Sequence, residues 1–299
     1  MNLENNIAIE SFISKGKTNS ESIEKNTKET LEYLKQKYIN DEILNEAFRF
    51  ADLLFLDTFK SDIEALKRIG FYSSTEAQFE LEFSIKSLLT GNYKNSADHM
   101  RRALELVIAT IYFSLDNVEF SVAREWMDSK EGIPSFSGKM IRKLISEKRF
   151  KDINGQYNWS EDIKSLYWDL CDYIHVKGQN KGFRILNLGN TSSTRGNTIF
   201  PINEDTIDEF ILLYKKTIQS ILTALYLYNP VLLIGLPIEE KYGSSAPTSG
   251  FFNDCQAECM KKLIPHKYKE FFIDLAKTDT EIIETRKKVL DLPDIPYIY

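Results

Sequence analysis

The chain has no proline before Pro134, and glycine interrupts that stretch only at Gly16, Gly70, Gly91 and Gly132. Proline removes a backbone donor and collides with the preceding helical turn, while glycine loses the most backbone freedom on ordering. Where both are this sparse, long helices are permitted and the remaining glycines mark their ends. Ile43, Ala47, Phe50, Ala51 and Leu54 recur at helical spacing and predict a helix over about 42–69. Lys67 and Arg68 fall in its last turn, ahead of Gly70, as the helix dipole favours. Ser73 and Glu76 form a capping-box pair for the next helix, which runs to about Leu89 and stops at Gly91. Asn95 or Ser96 is expected to cap a helix of roughly 96–115. Its second half, from Leu106 to Phe113, is apolar nearly all round and belongs in the interior. A more polar helix over about 21–39 carries Leu31, Leu34 and Tyr38, and residues 1–20 are expected to fray.

The later chain reads as shorter helices between two loops. A piece around Val122–Met127 and another near 138–148 flank the Gly132, Pro134 and Gly138 loop. Ser160 starts a helix that ends at His175. Residues 176–202 hold Gly178, Gly182, Gly189, Gly196 and Pro201, and predict a long loop with a small hairpin around Phe183–Leu188 and Thr198–Phe200. From Glu204 the spacing of Ile207, Phe210, Ile211, Tyr214, Ile218, Ile221, Leu222 and Leu225 gives a long helix that Pro230 ends. A second loop from Lys241 to Gly250 precedes helices over about 251–263, 267–276 and 279–290. The expected fold class is all-α, an up-and-down helical bundle of long helices with peripheral helices and two long loops. Residues 1–40 and 231–299 read as terminal extensions of a central bundle over 41–230.

Composition narrows the function classes. With 299 residues, 42% hydrophobic and 27% charged, the chain can build a sizeable core without disulfides or metals. A net charge of −6 does not suit wholesale nucleic-acid attraction, although a local basic patch remains compatible with it. Three cysteines and no basic–apolar leader at the N-terminus lead to the expectation of a reducing, cytoplasmic compartment. The longest apolar region, Ile218 to Leu236, is broken by Gln219, Asn229, Pro230 and Gly235, so no membrane span is expected. Phosphate-binding glycine loops, GxSxG, HExxH and dinucleotide fingerprints are absent from the sequence. Cys255, Cys259 and His266 lack the second ligand pair that zinc requires, so the two cysteines read as buried on an apolar helix face and no metal or cofactor is expected. The Lys261-Lys262 and Arg286-Lys287-Lys288 runs have acids nearby and read as solvated faces.

Two helical segments carry polar groups within apolar patterns. In Ser96-Ala-Asp-His-Met-Arg-Arg-Ala-Leu-Glu-Leu-Val107, Arg101 and Arg102 lie four and three residues before Glu105 and can pair with it. An arginine there can also hold a phosphate bidentately. His99, one turn from Arg102, is expected at the surface or edge. In the second segment Ile163, Leu166, Tyr167, Leu170, Cys171 and Ile174 should face the core, while Trp168, Asp172 and His175 form a neighbouring stripe. Asp172 can hydrogen-bond His175, whose place at a helix end suits either acid–base work or simple capping.

Asn92 to Phe113, with its Arg-Arg-Ala-Leu-Glu core, together with Leu166-Tyr-Trp-Asp-Leu-Cys-Asp-Tyr-Ile-His175, resembles the HEPN-domain proteins of prokaryotes. Similar families have an Arg-x-x-Leu-Glu helix and a later Leu-Tyr-x-x-Leu-Ser-x-x-(aliphatic)-His helix. Glu125-Trp126, Gly132 and Phe136 fit the same pattern, and the resemblance covers about 80–180. It implies a helical bundle, dimerisation, and roles in RNA processing, toxin–antitoxin pairs or phage defence. Active members resemble metal-independent ribonucleases that use an Arg followed by four to six residues and a His. Here the corresponding positions before His175 are Trp168, Asp169 and Leu170, and Cys171 stands where the pattern has serine. The resemblance therefore implies a degenerate module that binds RNA or a partner protein. The alternatives are an endoribonuclease using His175 with Arg101 or Arg102, and a structural interaction protein. Glu105, Trp168, Asp172 and Lys177 are the accompanying candidate binding residues, and a homodimer is expected.

Overall fold

The computed structural model describes residues 3–53, 71–128, 136–174, 202–242 and 253–293. Among them the chain is all-α, with thirteen α-helices. These are α1 (Leu3–Tyr38), α2 (Glu42–Leu53), α3 (Phe71–Leu89), α4 (Tyr93–Phe113), α5 (Phe120–Met127), α6 (Ile141–Leu144), α7 (Lys148–Tyr157), α8 (Trp159–Ile174), α9 (Glu204–Tyr228), α10 (Ile238–Tyr242), α11 (Asp254–Lys261), α12 (Lys269–Thr278) and α13 (Thr280–Leu290). The only extended pairing among these residues is an isolated bridge between Leu236 and Asn253. No helix is long and apolar enough to cross a membrane among the described residues.

The chain divides into two compact units, each assembled from three separated stretches. The first comprises Met1–Asp41, Glu80–Arg102 and Tyr167–Tyr214. Within it α1 begins at Leu3, so the expectation that residues 1–20 fray is corrected. With no proline and only Gly16 to interrupt it, one helix extends from Leu3 past exposed residues such as Glu10, Ser11 and Lys15 to the docked later turns. The docked part is held by polar contacts. Asn26 donates to the Thr90 carbonyl at 3.0 Å, and Tyr33 and Tyr38 donate to Asp208 at 2.8 and 2.6 Å. Lys37 completes the clasp as an ion pair to the same carboxylate. Partial burial alone would raise the Asp208 carboxyl, but the bonds from Lys37, Tyr38 and Tyr33 outweigh it and hold it below the usual range. Behind the clasp, Tyr93 and Tyr173 pack on Phe210 with ring centroids 5.4 and 5.1 Å apart. Asn203 caps α9 by accepting from the Thr206 amide at 2.9 Å.

The second unit comprises Glu42–Phe79, Ala103–Leu166 and Lys215–Tyr299. Its core holds the fully buried Trp159, Phe150, Tyr226, Phe272, Ile218 and Ile221. Trp159 meets Phe150 edge-on at 5.1 Å, and Tyr226 meets Phe272 at 5.5 Å. The apolar half of α4 fulfils its pattern, with Val107, Ile108, Ile111 and Phe113 all buried. Pro230 ends α9 and opens a 3-10 turn whose Leu232 and Leu233 are buried. The helix expected near 138–148 is instead a π turn over Phe136–Met140 followed by α6, with α7 separate. Asn158 then separates α7 from α8: it adopts φ 56°, the left-handed conformation that closes α7 and lets α8 start at Trp159. Arg149 on α7 ties down the last helices. Its Nε and Nη2 donate to Asp279 at 2.7 and 3.0 Å, and Nη2 to Glu281 at 2.9 Å. Asp279 also caps α13, accepting from the Glu281 amide at 3.0 Å.

Candidate functional site

Part of the sequence-derived site lies outside the described residues: His175, Lys177, the 176–202 loop and its hairpin, the rest of the 42–69 helix, and most of the Lys241–Gly250 loop. The remaining candidates fall on α4 and α8. Gly91 adopts φ 78°, a conformation that suits glycine, and its amide bonds the Leu88 carbonyl at 3.0 Å to close α3. The next helix then starts at Tyr93, three residues before the position expected from Ser96. The Asn92 side chain accepts from the Asn95 amide at 3.4 Å, and the Asn92 carbonyl from the Ser96 amide at 3.0 Å.

This turn brings Glu80 of α3 onto the polar stripe of α4. Ala97, Met100, Ala103 and Leu104 turn inward and are fully buried, which leaves Asp98, His99, Arg101 and Arg102 on neighbouring faces. His99 lies at the edge rather than on the open surface: its side chain is 17% exposed, and Nδ1 lies 2.5 Å from Oε2 of Glu80, which is 7% exposed. Arg102 Nη2 sits 3.2 Å from the same oxygen and 2.9 Å from His99 Nδ1. One nitrogen cannot both donate to Glu80 and accept from Arg102. The shorter contact to an anion decides the matter: Nδ1–H donates to Glu80, and Arg102 pairs with the carboxylate beside it. Arg102 Nε also approaches Asp98 at 3.6 Å, and Arg101 Nη2 donates to Asp98 at 2.9 Å. Phe83 packs against the imidazole at 5.6 Å. Glu105, half-buried, lies further along α4 in the second unit.

On α8, Ile163, Leu166, Leu170 and Cys171 are buried as their spacing required, while Tyr167 and Ile174 are only half-buried. Trp168 is 56% exposed and Asp172 is also exposed, so both lie on a solvent-facing stripe. Tyr173, which the pattern did not single out, is buried and its hydroxyl donates to Glu209. The cysteine expectation is corrected: Cys255 is exposed and Cys259 half-buried, because α11 turns that edge away from its buried Ala257 and Met260. No group of three or more His, Cys, Asp or Glu side chains able to hold a metal occurs among the described residues.

Neither Glu80 nor Asp98 is among the residues that helical spacing singles out. A signal for Glu80 existed: it lies three residues after Ala77 and next to Leu81, both fully buried, so a carboxylate interrupts a core stripe there. Its partner could not be read because it belongs to another helix. What the cluster can do chemically follows from its parts: it fixes one imidazole tautomer and holds a guanidinium against it. No known protein family, curated protein or solved structure matches the chain.

Proposed function

We propose that the chain is a HEPN-like helical module that lacks the family's catalytic pairing and binds RNA or a partner protein, in the setting of a prokaryotic defence or toxin–antitoxin system. One observation carries this reading. Both arginines that could replace the missing catalytic one are matched to carboxylates of their own unit, Arg101 to Asp98 and Arg102 to Glu80 and Asp98. A guanidinium already paired in this way has less charge to offer a phosphorane in a transition state. Trp168 and Asp172 on α8 supply an exposed aromatic beside a carboxylate, a combination suited to recognition.

A second reading, a metal-independent endoribonuclease, is favoured by a different observation. An imidazole and a guanidinium do lie together, although through His99 and Arg102. The test is to incubate the purified chain with RNA and follow strand integrity and binding. Intact RNA from both the wild type and His175→Ala, with retention of RNA or a co-purifying protein that weakens in Trp168→Ala, supports the module. Cleavage lost in His175→Ala or His99→Ala overturns it in favour of the enzyme.

A further inference from the structure

The cluster on α3 and α4 keeps hydrogen-bonding capacity to spare. Glu80 accepts a hydrogen bond from His99 Nδ1–H, so in the neutral ring Nε2 carries the lone pair. His99 Nε2 has no hydrogen-bond partner among the described residues, and the contacts of Arg102 use Nη2 and Nε, leaving Nη1 uncommitted. The Arg102 side chain is 42% exposed, so it can be reached from solvent. A carboxylate-oriented imidazole is also how proteins prepare a metal ligand. The adjoining guanidinium opposes a cation, and no third ligand joins the ring among the described residues. With the ring neutral, a ligand that meets both groups offers an anionic oxygen to Arg102 and a protonated oxygen to Nε2.

We infer that Glu80, His99 and Arg102 form a binding site for a phosphate monoester. A singly protonated phosphate meets both requirements: its charged oxygens accept from the guanidinium, and its P–OH donates to Nε2. No bond is made or broken. Glu80 acts as a positioning residue, because it sets the tautomer that leaves Nε2 able to accept. Asp98 and Glu80 offset the charges of Arg101 and Arg102, so selection rests on hydrogen-bond complementarity rather than on surplus positive charge. The site does not require the RNA reading above. The same phosphate chemistry occurs on small phosphomonoesters and at the phosphorylated end of a nucleic acid.

The test follows the imidazole ring signals of the full chain by nuclear magnetic resonance, with His99→Gln used to assign them. The probes are orthophosphate, a 5′-phosphorylated oligoribonucleotide and its 5′-hydroxyl counterpart, at constant ionic strength. The His99 signal should move saturably with orthophosphate while that of His266, exposed elsewhere, stays in place. Arg102→Met should weaken the response roughly tenfold, as expected for one charge-assisted bond. If that variant does not fold, Arg102→Lys should weaken it in the same direction. Saturation by the phosphorylated oligonucleotide at lower concentration than by orthophosphate identifies a nucleic-acid end as the source, and equal or weaker binding identifies a small phosphate. A His99 signal unmoved by all three probes, or a folded Arg102 variant responding like the wild type, overturns the assignment.

Discussion

Asp279 does two jobs that substitution can separate. It accepts Nε and Nη2 of Arg149 at 2.7 and 3.0 Å, and it caps α13 through the Glu281 amide. An exposed ion pair contributes about 0.2–1 kcal/mol, whereas a hydrogen bond to a charged group contributes about 1.5–3 kcal/mol when shielded. Asp279 is 10% and Arg149 24% exposed, and the pair is bidentate, so the lower part of the shielded range applies, about 1.5–2 kcal/mol. Loss of an N-cap adds about 1 kcal/mol. Asp279→Asn keeps the capping oxygen and should cost about 1.5–2 kcal/mol, while Asp279→Ala should cost about 2.5–3 kcal/mol. Urea denaturation of these variants, Arg149→Met and the double variant gives a coupling energy, expected at about 1–2 kcal/mol. A coupling below about 0.3 kcal/mol, or Asn and Ala variants of equal stability, would show that the contact behaves as a solvated pair and that the cap carries nothing.

Other outcomes follow from the same structure. Gly235 sits at φ 65° with a would-be Cβ only 2.2 Å from the Asn253 carbonyl oxygen, so Gly235→Ala should destabilise by about 2 kcal/mol or more in thermal or urea melts. Asp208 and Asp279 are both held below their ordinary carboxyl range, so each contributes stability that is complete above the unfolded value of 3.8. That contribution is lost as pH falls through the lower folded values; midpoints in urea should drop steeply there, and less steeply in Asp208→Asn. Trp168→Ala should change stability by less than about 0.5 kcal/mol, because the side chain is mostly solvent-exposed, while reducing capture of whatever the α8 stripe binds.

The helical class was legible in the sequence because the sparse prolines and glycines and the 3.6-residue spacing are local signals. The buried half of α4 and the stop of α9 at Pro230 follow from those signals alone. The early turns of α1 were not legible, since a polar pattern from residue 1 to 20 does not distinguish an exposed helix from a frayed end. The break between α7 and α8 depends on a left-handed Asn158, a choice that asparagine permits but does not announce. The candidate site was half legible. Arg101 and Arg102 stood out on α4, but the carboxylate that organises them belongs to α3, nineteen residues before His99, and spacing within one helix cannot reveal it. For the same reason spacing alone does not show that the edge residue His99 is engaged by a carboxylate.

The shared contact of Glu80 with His99 and Arg102 is tested most directly by the nitrogen-15 spectrum of the His99 ring in its neutral form. The structure predicts a proton held on Nδ1 and a bare Nε2, a preference that Glu80→Gln should weaken. A ring that carries its proton on Nε2, or that averages between tautomers as free imidazole does, would contradict it.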